Sequence, residues 1–158
     1  MSKNLAILGE YSARMGAGDY DAVYEVFAPD FFSHVTPRVN PDAVGKDIRP
    51  QEQKFWEAAR SAFSDMRFTV DLLIESGDLV VSNWTLTGMH DGAPYYDIRP
   101  SGKRVIINGT AILRMRDGKV VEHWGGPHCA NGIGLSMYVT AHTQPSKAVS
   151  APDIALGV

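Results

Sequence analysis

Apolar residues recur at helical spacing at the start of the chain. The stripe consists of Leu5, Leu8, Tyr11 and Met15. This spacing predicts an amphipathic helix that Ser2 can cap and that Gly16 and Gly18 can end. Asp19 can cap a second, short helix, which Pro29 ends. A first helical layer is therefore predicted before residue 30.

The pattern then changes to a short apolar run, Phe31–His34, followed by a long loop. Residues 35–50 contain three prolines, so we predict a loop there, with an extra short strand possible near Phe32. Long ordered loops often cover binding sites. A third helix is predicted over Gln51–Phe63, because Phe55, Ala59 and Phe63 share one side and Trp56 lies beside them.

Strand patterns follow. Arg67–Glu75 alternates apolar and polar residues, and we predict that its apolar residues share one face. These residues are Phe68, Val70, Leu72 and Ile74. Ser76-Gly77-Asp78 predicts a turn, and Leu79–Met89 predicts the next strand.

The last two strands form a predicted hairpin. Lys103–Met115 is rich in β-branched residues, and Asp117-Gly118 is a strong hairpin signal before the return strand Val120–Trp124. Gly125-Gly126-Pro127 is predicted to end that strand. Alternation places one set of side chains on one face of the first strand: Ile107, Gly109, Ala111, Leu113 and Met115.

On the return strand, alternation predicts that Val121, His123 and Gly125 share a face. Of the residues with Val121, only His123 can carry a proton near neutral pH. Helices grouped before a meandering antiparallel sheet predict an α+β domain with helices packed on one face. We expect one domain over residues 1–135, and a tail over residues 136–158 that is mobile or packs on a partner subunit.

Composition narrows the possible partners. The net charge of −3 and the scattered basic residues give no reason to expect nucleic acid or an anionic membrane as partner. The single cysteine, Cys129, allows no intrachain disulfide. No signal peptide or membrane-spanning run is found, so a cytoplasmic protein is expected.

Four stretches, in order, carry a family resemblance: Asp30–His34, Ala62–Arg67, Trp84–Gly92 continued by Ser101–Val105, and Ile112–Trp124. Together they resemble the SnoaL-like polyketide cyclase family, within the superfamily that includes nuclear transport factor 2, ketosteroid isomerase and limonene epoxide hydrolase. The resemblance implies a cone-like, curved antiparallel sheet with three N-terminal helices on its concave face, around an apolar cavity. It also implies a homodimer or higher homo-oligomer.

The resemblance also implies a catalytic aspartate directly after the histidine-tryptophan pair, where this chain has Gly125. The facing position one strand earlier, often polar in the family, is Ala111. Isomerase or lyase chemistry is therefore favoured over aldol cyclisation, because it needs one proton-transfer group and an oxyanion donor.

Three candidate catalytic residues remain. His123 lies two residues before Gly125, roughly 7 Å along the same face, and is the predicted general acid/base. Tyr96 can donate to a developing oxyanion, and His34 lies at the mouth of the long loop. The candidate substrate-binding residues are His90, Trp84, Asn83, Arg99, Phe31, Phe55, Trp56 and Met89.

No spacing resembles a zinc site or a nucleotide-binding loop, so no metal and no cofactor is expected. The leading interpretation is a cofactor-independent enzyme acting on a hydrophobic, aromatic or polyketide-like substrate. Its reaction would be an isomerisation, a cyclisation or a lyase step such as retro-aldol loss of formaldehyde. A non-catalytic hydrophobic-ligand-binding module and a dimerisation domain are the alternatives, since the aspartate position is Gly125.

Overall fold

The computed structural model describes residues 2–34, 41–95 and 98–128. Its first element is helix α1 (Lys3–Ala17). The Leu5 N–H donates to Ser2 Oγ at 3.2 Å, and Gly18 ends the helix in the left-handed conformation with φ 89°. Leu8, Tyr11 and Met15 are buried, as the stripe predicts.

Helix α2 (Ala22–Val26) passes directly into strand β1 (Phe27–Ser33), so the predicted strand near Phe32 is confirmed. A single 3₁₀ turn (Pro41–Ala43) precedes helix α3 (Arg49–Ala62). Helix α3 starts two residues before its predicted start, because Pro50 fits the first turn of a helix, where its missing N–H needs no partner.

The remaining strands are β2 (Phe63–Ser76), β3 (Leu79–His90), β4 (Arg104–Arg116) and β5 (Lys119–His128). The five strands form one curved, unclosed sheet in the order β1-β5-β4-β3-β2. Strand β1 runs parallel to β5, and the other neighbours are antiparallel. The predicted α+β cone with helices against a curved sheet is therefore confirmed.

The β4–β5 turn is the predicted one, with Asp117 at φ 53° and Gly118 at φ 76°. The prediction that β5 ends at Gly125-Gly126-Pro127 is wrong, because the β4 pairing continues to Asn108 opposite His128. The described β1 pairing stops at His123. Beyond that point β5 needs partners on the β4 side only, so a proline is tolerated there.

Two β-bulges correct the predicted side-chain faces. A register shift between Val70 and Leu72 turns Leu73 onto the core, whereas Leu72 and Ile74 are each 51% exposed. The predicted single face Phe68, Val70, Leu72 and Ile74 is therefore wrong.

The second shift lies between Arg114 and Met115, opposite the start of β5. Met115 pairs with Val120, and Leu113 pairs with His123, so Val120 and His123 share the inner face. Val121 is the extra residue, and its predicted place beside His123 is wrong.

The inner face of the sheet is the one that carries Val105, Ile107, Leu113 and Met115. These residues pack with apolar side chains of α1 and α3 in one buried core. The helices therefore cover the inner face, and the outer face keeps exposed side chains such as Ile106 and Ile112.

Candidate functional site

His123 lies on the inner face, half-buried, near the point where β1 leaves β5. Its Nδ1 is 3.4 Å from Ser33 Oγ, and its ring stacks near Phe31 with centroids 6.4 Å apart. Burial, and then the nearby His34, lower the pKa of His123 from 6.5 to about 4. The imidazole is therefore neutral at pH 7 and offers both a donor and an acceptor nitrogen.

Small residues adjoin His123 along the same face. Ala111 pairs directly with Gly125, as the facing position predicted from the resemblance. Gly125 has φ 111°, and a Cβ there would collide with the carbonyl oxygen of Thr110. No side chain fits at 125 in this backbone, so Gly125 and Ala111 present neither a carboxylate nor a bulky group beside His123.

An aromatic surface continues from these small residues into the interior. The Trp84 indole lies over Gly109, where any Cβ would collide with it. Trp84 contacts Phe68 at 5.6 Å between ring centroids, and Phe68 contacts Trp56 at 4.6 Å. Phe55 adjoins Trp56 at 5.6 Å. This aromatic path is half-exposed at Trp84, Phe68 and Phe55.

Three polar side chains meet within this interior: Glu52 and Trp56 of α3, and Tyr11 of α1. Burial raises the pKa of Glu52 from 4.5 to about 7, and the Trp56 N–H opposes that rise. Burial and the Glu52 charge raise the pKa of Tyr11 well above its usual value. Tyr11 Oη and Trp56 Nε1 are buried, and neither makes a well-aligned hydrogen bond to a described residue.

A series of ring contacts connects this cluster with His123. Tyr11 meets Phe27 at 5.4 Å, Phe27 meets Phe31 at 4.7 Å, and Phe31 stacks near His123. The two ionisable sites therefore share one apolar enclosure with opposite pKa shifts. Burial favours the neutral form of each group.

His34 lies elsewhere, on the outer face. Its ring stacks on Trp124 at 4.6 Å, and its Nε2 lies 2.8 Å from Glu122, which also accepts from Arg114 at 2.9 Å. These hydrogen bonds, His34 first, lower the pKa of Glu122. Only the His34 backbone reaches His123, where its N–H donates to the carbonyl at 2.9 Å.

The other predicted residues are divided between the two faces. Trp84 faces inward, whereas Asn83 donates to Thr110 on the outer face. Met89 is half-buried and pairs with Arg104, so alternation puts it with Asn83 on the outer face.

His90 is fully buried at the end of β3, and neither ring nitrogen has a hydrogen-bond partner among the residues that the structure describes. Its ring contacts Phe63 at 5.2 Å. Arg99 is exposed, Phe31 and Trp56 are buried, and Phe55 is half-buried. Tyr96 lies outside the described residues. The structure therefore brings His123, Trp84, Phe31, Phe55 and Trp56 to one interior.

A groove of about 420 Å³ lies along the open edge of β1. It is lined by Pro29–Ser33 and Ala43–Ile48, and buried Phe31, Ala43 and Ile48 contribute to it. Since Phe31 also contacts His123, this groove adjoins the interior at that residue.

Sequence reasoning missed Glu52 and treated Tyr11 as core only. A signal was present, because Glu52 lies four residues before Trp56 and three before Phe55, on the inward side of α3. A carboxylate at that spacing within an apolar stripe is unusual unless it is paired or functional.

No helix in the described part of the chain is long and apolar enough to cross a membrane. Among the same residues, no group of three or more His, Cys, Asp or Glu side chains is placed to hold a metal ion.

A curved sheet whose helix-covered interior is aromatic and carries a few polar groups defines a class of small-molecule-binding folds. The family model described as "SnoaL-like polyketide cyclase" matches residues 6–130, so this chain belongs to that family. No curated protein matches the chain.

Solved structures support the same fold. AclR from Streptomyces galilaeus, a proposed hydroxylase, is 24% identical, with TM-score 0.68 over 87% of this chain and 97% of that one. TsrD from Streptomyces laurentii is 22% identical, with TM-score 0.69 over 88% and 96%. IdmH from Streptomyces antibioticus, a proposed polyketide cyclase, is 24% identical, with TM-score 0.67 over 88% and 98%. At these identities the likeness shows the fold.

Proposed function

We propose that this chain is a cofactor-independent enzyme that moves protons on a hydrophobic, aromatic or polyketide-like substrate bound against the inner face of the sheet. Family membership and the aromatic interior support the substrate class. The reaction is an isomerisation, a cyclisation or a lyase step that passes through an enol or enolate.

The observation that carries this proposal is His123 on the inner face, next to the small pair Ala111 and Gly125. Its pKa of about 4 keeps the ring neutral near pH 7. A neutral imidazole can donate a hydrogen bond to a substrate carbonyl and polarise it. We therefore assign His123 to one carbonyl oxygen of a substrate that carries more than one.

The remaining predicted residues take more limited roles. Tyr96 stays a predicted oxyanion donor. His34 faces outward, so we propose that it positions β5 at His123 through Glu122 and through its own backbone N–H. Exposed Ile106 and Ile112 on the outer face support a homodimer through that face.

Gly125 shifts the proposed reaction away from aldol cyclisation. The position has no room for the aspartate that the family places there, since a Cβ would collide with Thr110. An isomerase or lyase needs only a proton carrier and an oxyanion donor. These reactions are therefore favoured.

The test is turnover by a His123→Ala variant. We would present a panel of aromatic ketones and polyketide fragments, follow binding by tryptophan fluorescence and follow products by NMR. The variant should keep its fold and ligand affinity within about threefold and lose at least about 100-fold in turnover. Arg116→Gln, at an exposed position of β4, should match the wild type. Equal turnover by both variants would contradict the assignment of His123.

A non-catalytic hydrophobic-ligand-binding module is the second candidate function. The apolar pair Ala111 and Gly125 favours it, because two positions that are often polar in the family carry no polar group here. Ligand binding by the wild type with no product from any panel member between pH 5 and 9 would favour this function over the first.

A further inference from the structure

We infer that Glu52, Tyr11 and Trp56 form the proton-transfer site of the proposed enzyme, with Glu52 carrying the proton and the other two side chains holding the substrate oxygen. This inference rests on the proposed function and names a site separate from His123. The substrate it implies is an enolisable ketone fused or attached to a flat aromatic ring.

The first support is a pair of buried donors that lack a well-aligned acceptor. Tyr11 is 8% exposed and Trp56 is 6% exposed, yet neither Tyr11 Oη nor Trp56 Nε1 makes a well-aligned hydrogen bond to a described residue. Trp56 still lies near enough to Glu52 and to Tyr11 to lower the pKa of each. Buried polar atoms in folded proteins are almost always paired, so two buried donors without a well-aligned acceptor leave a place for one more acceptor. A substrate oxygen supplies such an acceptor.

The second support is the position of Glu52, on the same helix as Trp56 and near Tyr11. It lies one turn before Trp56 on α3, and its carboxyl is close enough to Tyr11 for its charge to raise the pKa of that hydroxyl. Tyr11 therefore stays protonated and remains a donor across the neutral range. A carboxyl whose own pKa is about 7 can both take and return a proton near neutral pH.

Within the described part of the chain, no charged side chain shifts the pKa of Glu52. Burial and the Trp56 N–H govern that pKa, and Tyr11 is the titratable group that faces it from α1. Strands β1 and β2 contribute the aromatic rings of Phe27 and Phe68 to this interior. The rings of Phe27 and Phe31 lie between this cluster and His123.

The step balances without any further reactant. The Glu52 carboxylate takes a proton from the carbon next to the substrate carbonyl, so a C–H bond breaks and an O–H bond forms. The electron pair moves to the carbonyl oxygen, where Tyr11 and Trp56 donate hydrogen bonds to the enolate. Protonated Glu52 then returns the proton to the same carbon or to another carbon of the enolate.

The aromatic path from Trp56 through Phe68 to Trp84 determines the substrate shape. Its rings pack in edge-on or tilted contacts of 4.6 and 5.6 Å. A flat aromatic group lying against the half-exposed rings places an attached carbonyl toward the buried end, where Glu52 and the two donors meet.

The experiment uses 2-tetralone, an enolisable aromatic ketone, as the probe. Uptake of deuterium at its α-carbons in D₂O would be followed by NMR with the wild type, Glu52→Gln and Glu57→Gln. Glu57 is exposed on the same helix and is the matched control. We expect Glu52→Gln to lose at least about 100-fold in exchange rate, and Glu57→Gln to stay within about twofold of the wild type. Tyr11→Phe should lower the rate about tenfold with 2-tetralone affinity retained.

Exchange by Glu52→Gln at the wild-type rate would overturn this inference and leave the proposed function standing. Bound 2-tetralone with no exchange by the wild type would overturn both. A second measurement does not depend on the probe: the Glu52 carboxyl carbon, assigned by its loss in Glu52→Gln, should titrate near pH 7 in a ¹³C NMR series. A midpoint near 4.5 would show a solvated carboxyl and would overturn the site.

Discussion

Two ionisable residues in one apolar enclosure have pKa values that move in opposite directions. Glu52 rises to about 7, and His123 falls to about 4. Both shifts have burial as their largest cause, and both favour the neutral group. Near pH 7 the interior therefore holds a neutral imidazole and a carboxyl close to its midpoint, which is a suitable arrangement for proton transfer.

These shifts also act on stability, with opposite signs. Folded Glu52 keeps its proton up to about pH 7, whereas the unfolded chain releases that proton above pH 4.5. The Glu52 contribution to the free energy of unfolding therefore falls as the pH rises from 4.5 to about 7. Folded His123 stays unprotonated down to about pH 4, whereas the unfolded chain binds a proton there below pH 6.5. The free energy of unfolding therefore falls as the pH drops from 6.5 toward 4. The two effects oppose each other between pH 4.5 and 6.5.

Removing the Glu52 charge should stabilise the fold at high pH only. A pKa rise from 4.5 to about 7 corresponds to about 3 kcal/mol at about 1.36 kcal/mol per pH unit. Glu52 keeps some accessible surface, so this figure is an upper limit. We expect Glu52→Gln to raise the free energy of unfolding at pH 8 by up to about 3 kcal/mol and to change it by less than about 0.5 kcal/mol at pH 4.

Urea denaturation of the wild type, Glu52→Gln and Glu57→Gln at pH 4, 6 and 8 measures these differences. The exposed control should match the wild type at each pH. A Glu52→Gln difference that does not change with pH would contradict a raised Glu52 pKa.

The sequence predicts side-chain faces well where residues alternate along a strand. It predicts them poorly where a polar residue interrupts the apolar stripe of a helix. His123 and Gly125 share a face as alternation predicts, because they pair with Leu113 and Ala111 of β4, whereas the bulge removes Val121 from that face. Glu52 was missed because helix α3 was interpreted from its apolar residues alone. The burial of Glu52 depends on packing against α1, which is distant in sequence. No local sequence pattern therefore reveals it.

At the level of elements, β-bulges interrupt the strict alternation of side chains that the sequence pattern assumes. The register shift between Val70 and Leu72 moves the following residues of β2 by one position. Leu73 then packs against the core, and Leu72 points to solvent. Leu72 and Leu73 therefore form a matched pair of positions for testing the bulge by mutation.

Leu73→Ala should cost about 2 kcal/mol in the free energy of unfolding, because it removes partly buried methyl groups that pack against the core. Leu72→Ala should stay within about 0.5 kcal/mol of the wild type, because its side chain is 51% exposed. Chemical denaturation of both variants at one pH measures the difference. Equal losses, or a larger loss for Leu72→Ala, would contradict the bulge.

The order and type of the elements followed from the sequence more closely than their ends did. The inner face of β4 and the Asp117-Gly118 turn are confirmed, since both depend on neighbouring residues. The extension of β5 to His128 was missed, because it depends on where β1 stops pairing. Such long-range pairing has no local signal.

At the scale of the whole molecule, one curved sheet and the helices against it create the enclosure. Tyr11 comes from α1, Glu52 and Trp56 from α3, and His123 from β5, so the candidate site exists only in the assembled fold. Membership of the SnoaL-like polyketide cyclase family accounts for this architecture. The chain differs from the pattern implied by the family resemblance at position 125, where it has a glycine instead of an aspartate.

The most direct test of the central claim is the pH dependence of deuterium uptake by 2-tetralone with the wild-type protein. Our account predicts exchange well above the rate in buffer, rising with pH to a plateau with a midpoint near 7, as Glu52 ionises. Exchange at the buffer rate from pH 5 to 9, with 2-tetralone bound, would contradict the claim that this interior transfers protons.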